Sequence, residues 1–138
     1  MELRWFFAAL LALLFWGTWG LLGRVLSQQL GWREMTALAA LGQLAASMSF
    51  IVILRPNLLS VPSLTAIGLL TGALGFLGAT MFYVALEANP SSIVVVTTSL
   101  YPVVTVVLSL FLLGEVPNVR QLFAMAFALV ALVLFATS

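Results

Sequence analysis

The stretch that decides the fold is residues 89–115, which read NPSSIVVVTTSLYPVVTVVLSLFLLGE. Asn89 and Pro90 are typical of a helix start, because asparagine can act as an N-cap and proline suits the first turn. No charged side chain follows until Glu115. As a helix, Ser91 to Leu113 would extend roughly 34 Å, which is enough to cross a hydrocarbon core of roughly 30 Å.

A proline in the middle of this stretch predicts a bend. Pro102 has no N–H to donate to the carbonyl of Thr98, so we expect that carbonyl to be freed and Pro102 to act as a hinge. Hydroxyl-bearing residues recur around it at three- and four-residue spacing: Thr98, Tyr101, Thr105 and Ser109. This spacing places them on one helix face. A polar face at mid-membrane depth indicates more than an inert anchor.

The β-branched run Val94–Thr98 favours a strand instead. In hydrocarbon, however, an unpaired strand leaves backbone groups without hydrogen bonds, so a helix is favoured unless the chain closes into a barrel. The other apolar segments are too continuous for the alternation of a barrel. We therefore expect a helix here as well.

The composition identifies an integral membrane protein in the lipid bilayer. Of 138 residues, 64% are hydrophobic and 7% are charged, with a mean hydropathy of +1.24, whereas about a quarter of a soluble domain is charged. The chain has no Cys and no His, which excludes the usual zinc sites and Ser-His-Asp catalysis. Its net charge of +1 provides no basic patch for nucleic acid. We expect no enzyme activity, no metal and no cofactor.

Five apolar segments of about twenty residues predict an all-α membrane protein, a five-transmembrane-helix bundle forming one domain over residues 1–138. The expected helices are roughly 3–26, 35–54, 62–86, 91–113 and 119–137. The connectors are short, which makes each helix antiparallel to the next. The first segment is expected to be a retained span, because it exceeds a signal-peptide core and lacks a small-residue cleavage site.

The first two segments carry side chains that could line a cavity. Trp16 and Trp19 fit either packing and interfacial anchoring or a cavity wall. Beside them, small residues form a strip that allows close helix approach: Gly17, Gly20 and Gly23. Arg24 is expected to reach the headgroups. Gln43 needs a polar partner in hydrocarbon, which is either another helix or a ligand.

The third segment combines a packing motif with two polar candidates. Gly68 and Gly72 form a GxxxG pattern, typical of many packed membrane helices. Tyr83 and Glu87 follow near the end of the segment. Glu87 is either a candidate for proton coupling or a solvated carboxylate at the membrane surface.

Asn118 and Gln121 have the spacing of a capping box. This pair predicts that the last helix begins at Val119. Because that helix carries no charge beyond Arg120, we expect it to serve packing or dimerisation.

Two motifs resemble one family. The phrase FWGTWG at residues 15–20 looks like the opening of an EamA domain of the drug/metabolite transporter superfamily. The phrases SLYPVV at residues 99–104 and LLGE at residues 112–115 are similar to the fourth helix of that domain and its end. The match in motifs, helix count and spacing covers nearly the whole chain.

The resemblance implies a half-size transporter. Larger relatives hold two such domains in inverted orientation around a central cavity, so this five-helix form would pair as a homodimer, in an antiparallel arrangement. It would move small metabolites or apolar and aromatic compounds by alternating access. One departure is Gln43, which stands where relatives often carry a basic residue, and this disfavours an anionic substrate. We expect a prokaryotic plasma (inner) membrane as its location.

The predicted substrate contacts are aromatic and polar side chains facing a shared cavity: Trp16, Trp19, Gln43, Tyr83, Thr98 and Tyr101. Such a cavity suits an apolar, aromatic or neutral solute. Alternatively, the chain is a non-transporting membrane subunit or one half of a heteromeric transporter. Residue patterns leave the substrate, the coupling ion and the transport direction open.

The distribution of arginines generates a test of topology. Arg4, Arg55 and Arg120 fall on one side of the membrane, and Arg24 and Arg33 fall on the other. Because cytoplasmic loops are richer in arginine, the N-terminus is expected inside, but the near balance also fits insertion in both orientations. A reporter for each compartment, fused to the C-terminus, separates the two: strong signal from only one of them rejects dual insertion.

Overall fold

The computed structural model describes residues 2–58 and 61–137, and the elements within these ranges are helices. The helices are α1 Glu2–Leu26, α2 Trp32–Leu54, α3 Pro62–Ala88, α4 Ser92–Thr98, α5 Tyr101–Leu113 and α6 Val119–Ala136. The run Val94–Thr98 lies in α4, so the expectation of helix over strand is confirmed. The protein is an all-α membrane bundle, as predicted.

Four stretches of the described chain are long and apolar enough to span a membrane. They are Leu3–Leu26, Trp32–Leu54, Leu64–Ala88 and Ser92–Leu113. The last of these contains α4 and α5 together, and α6 follows as a shorter apolar helix. The α2 helix begins three residues before the predicted Met35, because Trp32, Arg33 and Glu34 are acceptable in a first turn.

Regular helix is interrupted in the fourth span by the two residues that precede Tyr101. Thr98 ends α4, and Ser99 and Leu100 form a turn before α5 begins. Pro102 occupies the second position of α5, where its missing N–H costs nothing. The interruption therefore falls on the N-terminal side of the proline. That Pro102 works as a hinge remains a prediction.

The predicted role of Asn89 as the N-cap of the fourth span is wrong, although that span begins at Ser92, next to the predicted residue 91. Asn89 is the C-cap of α3, with φ −148° and its N–H donated to the carbonyl of Ala85. Pro90 explains why α3 ends here, since a residue before proline is disfavoured in the α region, and the next helix begins only at Ser92. Ser91 is the N-cap of the following helix, and its side chain makes no capping bond there.

The chain forms two compact units, residues 1–90 and 91–138. In the first unit, α3 packs against α2 and α1. Within the described residues, the buried large apolar side chains all belong to this unit: Met35, Phe82, Tyr83 and Leu86. In the second unit, α4 packs against α6. The prediction of one domain over 1–138 stays a prediction.

The glycine strip of α1 meets α3 at one end. A Cβ built on Gly23 would lie 3.2 Å from Phe82 Cε1 and 3.4 Å from Tyr83 Cε1, and Gly20 is also buried. At Gly17, by contrast, no atom of the described chain lies within 4 Å of that position. The predicted close approach of helices is therefore present at the Gly23 end.

The capping box at the start of α6 is confirmed. The Gln121 N–H donates to Asn118 Oδ1 over 3.0 Å, and the Asn118 N–H donates to Gln121 Oε1 over 2.8 Å. Two N–H groups that the helix itself cannot satisfy are thereby paired.

The packing at Gly23 predicts a position-specific effect. Gly23→Leu should lower the free energy of unfolding in mixed detergent micelles by about 1–3 kcal/mol, because the added side chain overpacks the contact of α1 with α3. Gly17→Leu is the matched control, since its side chain enters open space. Equal losses for the two variants would contradict the packing described here.

Candidate functional site

A cleft of about 360 Å³ opens between the first three helices, within the first unit. Its walls are α1, α2 and the C-terminal part of α3. The lining residues are Trp19, Leu22, Gly23, Leu26, Met35, Leu38, Ala39, Gly42, Gln43, Ala46 and Tyr83. None of these lining residues is charged, and three of them were predicted to contact substrate: Trp19, Gln43 and Tyr83.

An aromatic cluster forms the end wall of this cleft. The rings of Trp19 and Phe82 stack with centroids 4.9 Å apart, and Tyr83 lies 5.9 Å from Trp19. Trp19 Nε1 donates a hydrogen bond to Tyr83 Oη over 3.0 Å. Gly23 makes the cluster possible, because a side chain there would occupy the space that the Phe82 and Tyr83 rings take. The cluster thus joins α1 to α3 and fixes both aromatic side chains of the cleft.

Two polar groups that line the cleft have donors or acceptors that no described residue uses. The Gln43 side chain is exposed on the cleft wall and makes no hydrogen bond to another described residue. Tyr83 accepts from Trp19, so its own hydroxyl proton is still available to donate. A neutral ligand could therefore be bound by both donors and acceptors in this cleft.

The remaining predicted contacts lie outside the cleft wall. Trp16 is 62% exposed on α1, one turn from Trp19. Thr98 and Tyr101 belong to the second unit, on either side of the interruption between α4 and α5. Thr98 Oγ1 donates to the carbonyl of Val94 over 2.9 Å, so the chain itself satisfies this hydroxyl. Substrate contact at these three positions remains a prediction.

The predicted polar face of the fourth span is divided by the same interruption. Tyr101, Thr105 and Ser109 share one face of α5, at four-residue spacing. The Thr105 hydroxyl donates to the carbonyl of Tyr101 over 3.2 Å. A threonine paired with its own helix requires no water, so the Thr105 hydroxyl is satisfied within α5.

Glu87 lies in the last turn of α3, beside the start of α2. Its Oε1 accepts from the Trp32 N–H over 3.4 Å, and the carboxylates of Glu87 and Glu34 converge on Gly31. Carboxylates are favoured at this place because the N-terminus of a helix carries partial positive charge. The exposed Glu87 thus connects two helix ends.

Arg24 also contacts the end of the first unit. Its Nε donates to the carbonyl of Pro90 over 3.4 Å. The guanidinium group, expected from the sequence to reach the headgroups, therefore has a partner within the chain.

A second cleft, of about 370 Å³, lies within the second unit. It is lined by Val106, Ser109, Glu115, Val116, Pro117 and Gln121. The Gln121 side chain is already bound in the capping box. This cleft follows the connector between α5 and α6.

Sequence reasoning missed the wall of small residues that α2 contributes to the cleft. Ala39, Gly42 and Ala46 recur at three- and four-residue spacing on the cleft side of α2. At Gly42, no atom of the described residues lies within 4 Å of a built Cβ, so the cleft is open at that point. The spacing of these residues around Gln43 was the available signal. Phe82, adjacent to Tyr83, was also missed.

Spans of membrane length and an uncharged internal cleft together define a helical membrane protein that can admit a small molecule. The EamA-like transporter family matches residues 3–137 of the chain. The protein therefore belongs to the EamA-like transporter family, and the resemblance drawn from its motifs is confirmed. No curated protein and no solved structure matches it. Members of this family are transporters of the drug/metabolite type rather than enzymes.

The contact of Glu87 with α2 predicts a local effect. Glu87→Ala should speed hydrogen exchange of the Trp32 amide by roughly two- to fivefold, because the first turn of α2 loses an acceptor and a favourable charge. Glu87→Gln keeps an acceptor oxygen and should have a smaller effect. Glu115→Ala is the control for lost charge, and an exchange rate that rises equally in that variant would refute the contact.

Proposed function

We propose that the chain is a half-size transporter that moves small uncharged metabolites, or apolar and aromatic compounds, by alternating access as an antiparallel homodimer. The cleft of the first unit is the substrate site of each protomer. Trp19, Gln43 and Tyr83 contact the solute there, and no enzymatic step is involved. The membrane is a prokaryotic plasma membrane.

The observation that carries this proposal is the Gln43 amide on the wall of a largely apolar cleft, where it has no hydrogen-bond partner among the described residues. An amide without a partner is costly in hydrocarbon, so its retention supports a role toward water or a ligand. Ligand sites commonly combine apolar walls with a few polar groups, as this cleft does. Membership in a transporter family makes translocation the favoured use of such a site.

The chemistry of the wall supports uncharged solutes. Trp19 offers a large ring surface, while Ala39, Gly42 and Ala46 leave room opposite α3. A charged solute would lose its hydration without gaining a counter-charge, which is unfavourable in an apolar site. The proposed substrates are therefore neutral.

The case for a second protomer comes from α3. The GxxxG residues Gly68 and Gly72, with Gly75, have no atom of the described chain within 4 Å of a built Cβ. Small residues let helices approach closely in a membrane. Inverted pairing around a central site is a general plan of transporters, and an antiparallel homodimer would supply it from one chain. Pairing with a different five-helix subunit is the alternative.

Glu87 is the proposed site of proton coupling. It is exposed at the end of α3, and its neighbours from the adjoining helix are Glu34 and the Trp32 N–H. Protonation would weaken its interaction with the start of α2 and so alter the junction of the two helices. Transport by Glu87→Gln should then no longer respond to an imposed proton gradient.

Filling the cleft tests the proposal. In proteoliposomes, Gly42→Trp should reduce solute flux to background, because its side chain enters the open part of the cleft. Leu41→Trp is the matched control, since Leu41 is 64% exposed and does not line the cleft. Tyr101→Ala should lower flux while dimer assembly remains intact, if the second unit also contacts substrate.

Flux and assembly are measured on the same samples. Flux that persists in Gly42→Trp would remove the cleft from the transport path. A well-folded homodimer without flux across a broad solute panel would refute the transporter proposal. A chain that becomes stable only with a related five-helix partner would favour the heteromeric alternative.

A further inference from the structure

We infer that Trp19 and Tyr83 form a hydrogen-bond relay that binds a ligand through a neutral acceptor atom, so the cleft takes aryl ketones, aryl amides and similar compounds. This inference rests on the proposed function in using the cleft as the substrate site. It narrows the substrate from any apolar or aromatic compound to one with a carbonyl-type acceptor on a flat body.

The direction of the relay follows from the chemistry of its members. An indole N–H can only donate, so in the 3.0 Å contact Trp19 is the donor and Tyr83 Oη is the acceptor. The Tyr83 hydroxyl proton must then be directed to a different atom. No described residue accepts it, although Tyr83 is buried and lines the cleft.

The burial of Tyr83 makes this open donor significant. Only 3% of the residue is exposed, and a buried polar group without its hydrogen bond costs about 1–3 kcal/mol. A ligand acceptor in the cleft would remove that cost. The bond from Trp19 polarises the hydroxyl, because hydrogen bonds in a chain strengthen one another. Tyr83 is therefore prepared to donate before a ligand arrives.

The acceptor must be neutral, since none of the cleft-lining residues carries a charge. A carboxylate or phosphate bound to Tyr83 would be a buried anion without a cation beside it among the lining residues, which is strongly unfavourable. A ketone or amide oxygen accepts the same bond without that penalty. Anions are therefore disfavoured in this site, because no lining residue offers a positive charge to pair with them.

The ligand must also be flat on one side. Trp19, whose ring stacks on Phe82, gives the site a flat aromatic surface, and the site is open at Gly42. Gln43 supplies a second polar group that can both donate and accept. A planar aromatic body with a carbonyl substituent fits the apolar walls and places its oxygen within reach of polar groups.

A matched set of probes tests the relay without measuring transport. Acetylnaphthalene, ethylnaphthalene and naphthoate have similar shapes, but they carry a neutral acceptor, no acceptor and an anion, respectively. Saturable binding of each is measured to the full chain in lipid nanodiscs. The infrared carbonyl stretch of bound acetylnaphthalene reports a hydrogen bond as a shift to lower frequency.

The wild-type chain should bind acetylnaphthalene roughly two- to tenfold more tightly than ethylnaphthalene, as one net hydrogen bond predicts, and naphthoate more weakly than both. Tyr83→Phe keeps the ring in place and should abolish both the preference and the frequency shift. Trp19→Phe should leave a smaller shift, because the hydroxyl is no longer polarised. Trp5→Phe, which changes an exposed tryptophan on α1, should behave as the wild type.

Two outcomes would overturn the relay: equal affinities for the ketone and the hydrocarbon in the wild type, or an unchanged carbonyl frequency in Tyr83→Phe. The wild-type comparison requires no variant to fold. Failure of the proposed function has a different result, namely that the ketone binds with the expected shift but is not transported. If the Tyr83→Phe variant transports a solute as fast as the wild type, the transporter proposal stands and the relay is refuted.

Discussion

The packing of α1 on α3 centres on the hydrogen bond from the Trp19 indole to the Tyr83 hydroxyl. It joins α1 to α3 at the point where Gly23 lets the two helices approach. In water this bond would contribute little, because both partners would otherwise bond to solvent. In hydrocarbon, an unpaired indole N–H has no such alternative. The same bond shapes the end of the cleft, so packing and the candidate site share one cause.

The bilayer explains why so little of the chain is buried in its own interior. Within the described residues, the buried large apolar side chains are few and belong to the first unit. Lipid tails are as apolar as leucine, so exposed apolar side chains cost nothing there and helices associate through close packing and polar contacts. A few positions therefore determine where helices meet and where they begin. Gly23 sets the contact of α1 with α3, while the Glu87 carboxylate and the capping box stabilise the starts of α2 and α6. Each of them satisfies a backbone or steric requirement that lipid cannot meet.

Much of the fold was predictable from the sequence, because hydrocarbon permits few backbone conformations. The spans, the helical state of Val94–Thr98 and the capping box all followed from local chemistry. The start at Asn89 was mispredicted because the same residue suits either end of a helix. Pro90 ends α3 by favouring extended backbone at Asn89, and the structure places the next N-cap at Ser91. Near Pro102, the sequence indicated an irregularity, and the structure placed it at Ser99 and Leu100.

By itself, the sequence determined the class of the protein, its membrane location and its family, since composition, span length and short motifs are properties of one chain segment at a time. Only the tertiary structure decided which polar groups share a cleft. Trp19, Gln43 and Tyr83 lie on three different helices, and no spacing within one helix predicts that they meet. Nor could the sequence show that the Tyr83 hydroxyl accepts from Trp19 and keeps its own proton free. Those facts depend on how the helices are rotated and packed, which is set by contacts between residues distant in the chain.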